Sequence, residues 1–487
     1  MMITCCIFIL SSSLSFSAYH HQDENDSDNF LQVYPDKKES KLDNCALCHT
    51  GGSYEKYPDS GKYVSLGSCQ WCHHIFGYDA SGNIVETLNN YGKDYYYEGR
   101  NSDAIKKIES KDSDGDGFTN IVEIQAIRYP GDADDDPDKT IAPYRVYTRE
   151  ELSSLTQHTQ FMLMNTSRSG DFYAEYTGVP LETLLEDAGI LDTATGITAY
   201  APDGWSTYHP LNPLDESSSY HIIGTYEQAS YYYDEEATSW CNYSAPLCSS
   251  YSHGNPIYVS GGLKSIIALQ RNGTNLDTGV LNTENKLDGE GPYRIVVPQK
   301  VPSAPDQSEK SDDQNVIWPY NSDWDHNAGF CTRSVTIIKV EPLPEGTTDI
   351  DVMEAGWDFI DKEKIIIYGA IKAGGISGQL FAFDGNEKAP LTDATVTIVE
   401  TGHIAATKQD GTFTFENIAV GDYSISVEHE GIILLTRDSI KVDESTNTQL
   451  PVYTIYVKND QGDVNNDGTM GLEDIIHWLK VLAGMVN

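Results

Sequence analysis

Four cysteines and two histidines near the N-terminus stand at spacings that can do chemistry: Cys45, Cys48 and His49 in CALCHT, then Cys69, Cys72 and His73 in CQWCHH. Thiols in this pairing serve a tetrahedral zinc site, a thioredoxin-like redox couple, or the covalent attachment of a c-type haem. The histidine discriminates among them. Haem attachment needs two thiols for thioether bonds to the vinyl groups and an adjacent imidazole to bind iron, and CxxCH supplies all three within one turn of backbone. Zinc and thioredoxin chemistry do not require a histidine directly after the second cysteine, and the flanks LDNCALCHTGG and LGSCQWCHHIFG lack the βαβ pattern of a thioredoxin motif. The spacing predicts two c-type haems with His49 and His73 as proximal ligands. Candidates for the sixth ligand are His74, His158 and His326, with His253, Met162 and Met164 also available. Each of these histidines also reads as a surface or hydrogen-bonded residue.

A second kind of chemistry is written in carboxylates. DSDGDGFTNIVE places Asp112, Asp114 and Asp116 at the first, third and fifth positions of an EF-hand-like calcium loop. Gly117 falls at the sharp turn, Phe118 offers its carbonyl, Asn120 holds position nine and Glu123 position twelve. The run GDADDDPD that follows, residues 131–138, reads as a solvated acidic turn, with an irregular second cation site as the alternative. DVNNDGTMGLED near the C-terminus offers Asp463, Asn465, Asp467, the Thr469 carbonyl and Asp474, with Gly468 at the turn. An amphipathic helix, IIHWLKVLAGM, follows it.

The elements that must position these groups belong to a multidomain chain, because 487 residues exceed one hydrophobic core. There are 32 Lys plus Arg against 74 Asp plus Glu, a formal charge of −42, which disfavours nucleic acid and anionic membrane and favours cationic partners and divalent metals. Residues 1–18 read as a signal peptide, an apolar run ending in small residues, and no later stretch is long enough for a membrane-spanning helix. The expected location is therefore exported: periplasmic, cell-surface or secreted. Removal of the peptide would take Cys5 and Cys6 with it. Cys241 and Cys248 could then close a small disulfide loop, leaving Cys331 odd.

The predicted fold class is β-rich α+β: a small haem-binding N-terminal region, an α+β central domain, an Ig-like β-sandwich, and a terminal calcium loop plus helix. Expected boundaries are a diheme region at 19–140, a central domain at 141–345, a linker at 346–372, a sandwich at 373–457 and the terminal segment at 458–487. In the central domain, Leu181, Leu184, Leu185 and Ile190 recur at helical spacing. The sandwich rests on short alternating runs such as ATVTIVE, GTFTFENI and GDYSISVEHEG separated by DG and GD turns.

Several segments resemble known families. YTGVPLETLLEDAGI, AYAPDGWSTYHPL and GEGPYRIVVPQ resemble the sulfite-oxidase-type molybdopterin-binding domain. In that family a cysteine upstream of the GVPL turn anchors molybdenum, and HTQFMLMNTSRSGDFYAEYTGVPL has none, so molybdopterin is not expected and the resemblance implies a scaffold. The two CxxCH motifs, the EF-hand-like loop and Gly289-Glu290-Gly291-Pro292 together resemble the GEGP motif-containing diheme proteins, bacterial extracytoplasmic cytochromes, over roughly residues 40–345. GQLFAFDG through SISVEHEG resembles the carboxypeptidase regulatory-like β-sandwich. The 463–474 loop with its helix resembles half of a dockerin, a module that docks onto cohesins and in full carries two such repeats. The combined expectation is an exported diheme cytochrome exchanging electrons with redox protein partners. Its rivals are a haem-linked oxidoreductase using the central domain and a calcium-dependent protein binding a cohesin-like or cell-surface partner.

Overall fold

The computed structural model describes residues 26–38, 40–43, 46–49, 53–55, 63–65, 85, 88–166, 170–201, 206–213, 220–226, 230–232, 248–281, 287–306, 321, 324–350, 361–383, 387–456 and 472–482. The expected signal peptide, the whole second CxxCH motif and the loop from Asp463 to Thr469 lie outside them. So do the side chains of His49, Cys248 and Asp474, and all of Cys45 and Cys241.

Helices dominate the N-terminal part. Asp26–Val33, Asn90–Tyr97, Ser102–Ile108 and Asn120–Gln125 surround a core of Phe30, Tyr34, Leu42, Leu47, Tyr91, Tyr95, Ile105, Ile108, Ile124 and Tyr129. Asparagine side chains start two of them: Asn89 accepts from the Gly92 N–H and Asn101 from the Ala104 N–H, each satisfying a donor that a helix start leaves open.

The acidic run 131–138 departs from a solvated turn. Asp135 is 4% exposed and accepts from Lys41 Nζ at 2.8 Å, from the Tyr129 N–H at 2.9 Å and from the Thr348 hydroxyl, with Arg128 at 3.7 Å. Lys41 itself is fully buried. Two basic side chains in one place let a carboxylate enter the interior, where a lone charge could not stay. Beside it, Thr347–Thr348 pairs in parallel with Thr140–Ile141. The helical part and the central sheets thus form one compact unit, residues 1–142 with 147–370.

The central part is built on two sheets. In one, Phe172–Pro180 lies between His158–Met164 and Ile266–Arg271, antiparallel to both, and Ile266–Arg271 also pairs with Arg294–Val296. Gly178 is required there, since a Cβ would sit 1.9 Å from the Ile267 carbonyl oxygen. Pro180 leads into the helix Leu181–Ala188, whose Leu181, Leu184, Leu185 and Ala188 are buried as their spacing predicts. In the other sheet Ile337–Glu341 is antiparallel to Gly196–Tyr200 and parallel to Lys364–Gly369. That last strand falls in the stretch expected as a linker. Its Ile365, Ile367 and Tyr368 are buried, so the run KIIIYG is an internal strand of the sheet.

The second unit comprises residues 143–146 and 371–487. Its sandwich has Ala373–Phe383 at the centre of one sheet, paired with Thr412–Ala419, Lys388–Pro390, Asn447–Gln449 and Tyr453–Tyr456. The other sheet runs Ile404–Ala406, Thr395–Ile398, Gly421–His429, Ile432–Val442. Alternate residues Phe413 and Phe415, then Tyr423, Ile425 and Val427, face the shared core. Tyr144 stacks on His403 at 4.3 Å between ring centroids, and burial pushes the His403 imidazole down to about 4. No helix among the described residues is long and apolar enough to cross a membrane.

Candidate functional site

The first CxxCH motif forms the short helix Ala46–His49. A helix this short leaves its carbonyls open, and one residue closes two of them. Asn89 donates its side-chain Nδ2–H to the Leu47 carbonyl at 3.0 Å and its backbone N–H to the Cys48 carbonyl at 2.8 Å. Its Oδ1 meanwhile caps the helix Asn90–Tyr97, so one side chain joins the motif to the next helix. Contact is close enough to demand glycine at position 92, where a Cβ would stand 2.6 Å from the Cys48 oxygen. Leu47 is buried in the N-terminal core and Cys48 packs partly against it.

Tyr91, 1% exposed in the same core, keeps a hydroxyl with no hydrogen-bond partner among the described residues.

The candidate sixth ligands sit in different settings. His158 opens the strand His158–Met164, half-buried, with Nε2 shielded and unbonded among the described residues, and burial lowers its pKa. His326 places Nε2 3.2 Å from Asp306 Oδ2. His253 is exposed, while Met162 and Met164 are core residues, 1% and 0% exposed. His74 lies outside the described residues.

The calcium-type loop brings its first three carboxylates together: Asp112, Asp114 and Asp116 have oxygens within 4.8 Å of one another. The Gly115 and Gly117 N–H groups donate to Asp112, that of Asp116 to Asp114 and that of Phe118 to Asp116, which bends the backbone inward. Gly115 and Gly117 take positive φ, +86° and +106°. Glu123 is fully buried, and neither of its carboxylate oxygens has a partner among the described residues; Asp114 Oδ2 and Asp116 Oδ2 are likewise shielded and unbonded. Burial, compounded by the three aspartates, pushes Glu123 up to about 9, and burial with Asp116 takes Asp114 up to about 6. Three clustered aspartates, with unbonded oxygens on Asp114, Asp116 and the nearby Glu123, fit a divalent cation. Asn120 is turned elsewhere: its Nδ2 donates to the Ile108 carbonyl at 2.8 Å and to Ser113 Oγ at 2.9 Å, while Oδ1 accepts from the Ser113 N–H.

Glu290 of the GEGP turn gains partners that the sequence did not indicate. Its carboxylate meets Arg271 at 3.2 Å and Arg294 more closely, with the Tyr176 hydroxyl at 3.5 Å. Burial would raise its pKa, but the two guanidiniums outweigh that and hold it low. Gly289 takes φ +93°, and a Cβ on Gly291 would stand 2.5 Å from Leu276 Cβ, so both glycines are needed. The turn borders a cavity of about 810 Å³ lined in part by Phe172, Arg271, Glu290, Arg294 and Arg333.

No thiolate for molybdenum is present on the strands His158–Met164 and Phe172–Pro180. Cys331 is buried, accepts from the Val297 N–H at 3.4 Å, and is pushed up by burial, so it stays a thiol. The described residues therefore do not fit the molybdenum centre of the resembled domain.

No curated protein matches the chain. Among solved structures, a type II cohesin–X-dockerin complex from Acetivibrio cellulolyticus is 22% identical, covering 22% of this chain and 72% of that one at a TM-score of 0.16. The minor pilin GBS52 of Streptococcus agalactiae is 15% identical, covering 20% and 51% at 0.16. The sulfane dehydrogenase SoxCD of Paracoccus pantotrophus is 12% identical, covering 61% and 67% at 0.20. Residues 375–455, which form most of the sandwich, match the carboxypeptidase regulatory-like domain family.

Proposed function

We propose that this chain is an exported diheme c-type cytochrome that carries electrons between extracytoplasmic redox partners. The observation that carries the reading is the paired CxxCH spacing, with residues 46–49 of the first motif in a short helix whose Leu47 and Cys48 carbonyls accept from Asn89. Cys45 and Cys48 attach one haem and Cys69 and Cys72 the other; His49 and His73 bind iron. The loop Asp112 to Glu123 takes calcium, whose charge relieves the crowded carboxylates and stiffens the helical part beside the first motif. Expression in a host that matures c-type cytochromes tests the assignment. The chain is expected to absorb as a c-type cytochrome and to respond to dithionite. Replacing Cys45 and Cys48 together by Ser is expected to remove about half of that absorbance. Absorbance unchanged by that pair of substitutions would contradict it.

A second role at the C-terminus has its own support. The helix Leu472–Leu482 leaves Leu472, Ile475, Ile476 and Leu479 exposed, a row of apolar side chains after a calcium-type loop. Together with the carboxypeptidase regulatory-like sandwich it supports calcium-dependent attachment to a cohesin-like or cell-surface partner. Pull-down with cohesin or with a cell-wall fraction, repeated with chelator, tests this; capture that ignores the chelator would contradict it.

A further inference from the structure

The cavity beside the GEGP turn gathers positive charge in a chain whose formal charge is −42. Three guanidiniums line it, those of Arg271, Arg294 and Arg333, against the two carboxylates of Glu290 and Asp277, which leaves one net positive charge on its wall. Arg294 is the most enclosed of the three, 7% exposed. Its hydrogen bonds all leave from Nη1, to Glu290 and to the Tyr176 hydroxyl at 3.4 Å. Nε is shielded and, like Nη2, has no partner among the described residues. Nε–H and the adjacent Nη2–H form the edge of a guanidinium that grips two oxygens at once. A buried donor left unmet carries a desolvation penalty, so an acceptor that comes to this edge from the cavity is favoured. Glu290 shows what these groups select, since its carboxylate already bridges Arg271 at 3.2 Å and Arg294. The wall is not all polar: the Phe172 ring lies 4.3 Å from the Arg271 guanidinium, and Leu276 is buried beside the turn.

We propose that this cavity binds a small organic molecule with a single carboxylate, held by the Nε–Nη2 edge of Arg294, with Arg333 at the rim adding charge and the apolar body of the ligand resting on Phe172 and Leu276. Size argues for an organic ligand. Sites for such molecules enclose about 300–1,000 Å³, whereas a water takes about 30 Å³, so an inorganic ion would leave most of this cavity of about 810 Å³ to solvent. Charge argues for a monoanion. One net positive charge balances one carboxylate, and the negative field of the whole chain disfavours a doubly charged phosphate.

Titration calorimetry on the full chain tests this with benzoate, hexanoate, acetate, benzamide and inorganic phosphate as probes. Benzoate or hexanoate is expected to bind about tenfold or more tightly than acetate, which lacks the apolar body, and than benzamide, which lacks the charge. Arg294→Lys keeps the charge but loses the paired edge, and is expected to weaken the better carboxylate by about tenfold. The proposal is overturned if neither larger carboxylate binds, if acetate or benzamide binds as well, if phosphate binds more tightly, or if Arg294→Lys leaves the affinity unchanged. Should Arg294→Lys fail to accumulate, Arg333→Gln at the exposed rim decides. A loss of about threefold or more is expected there, and an unchanged affinity overturns the proposal.

Discussion

Glu123 carries a carboxylate into full burial with neither oxygen bonded, and Asp114 and Asp116 each shield one unbonded oxygen in the same loop. Without a cation these groups resist losing their protons: Glu123 rises from 4.5 to about 9 and Asp114 from 3.8 to about 6. Folded-state values above the unfolded ones mean that the metal-free fold binds more protons than the unfolded chain. Its stability therefore falls as pH climbs through that window, while calcium, which displaces the protons, stabilises more as pH rises. Thermal unfolding with calcium and with chelator is expected to show a wider gap in Tm at about pH 8 than at about pH 5, and Glu123→Gln to narrow it at the higher pH. A gap that closes as pH rises would contradict the assignment. At this scale the sequence was legible where spacing is local: Asp112, Asp114 and Asp116, at alternate positions of one loop, do lie together. It was not legible where the partner is remote: Asp135 sat in a run that reads as solvated because Lys41 is far off in the chain, and nothing near Glu290 announces Arg271.

Between the helices, Asn89 and Gly92 form the joint that fixes the first motif. Gly92→Ala places a methyl group 2.6 Å from the Cys48 oxygen, so the motif or the helix must shift, at a cost of about 1–3 kcal/mol. The expected outcome is a lower Tm and incomplete loading of the first haem with the second retained, read by intact mass. Full loading at an unchanged Tm would show that the joint does not matter. Legibility at this scale followed burial on one face. Thr412–Ala419 and Gly421–His429 alternate because one side of each strand meets the sandwich core, so their sequence reads as strand. Lys364–Gly369 is a short apolar run with little alternation, which is why its place as a buried strand of the central sheet did not stand out from an expected linker.

Across the whole molecule the formal charge of −42 sets long-range behaviour. Steering by such a field raises association with a cationic partner at low ionic strength and fades once salt shortens the screening length to about 10 Å near 0.1 M. Electron exchange with a basic redox partner is expected to slow by tenfold or more between low and physiological salt, and with an acidic one to show no such loss. Stopped-flow reduction across a salt series checks this. All of it depends on haem being present. The most direct measurement is a pyridine haemochrome spectrum with intact mass on the full chain, produced in a host that matures a control cytochrome. The account predicts two covalent haems per chain; a colourless chain of unmodified mass alongside a matured control would contradict it.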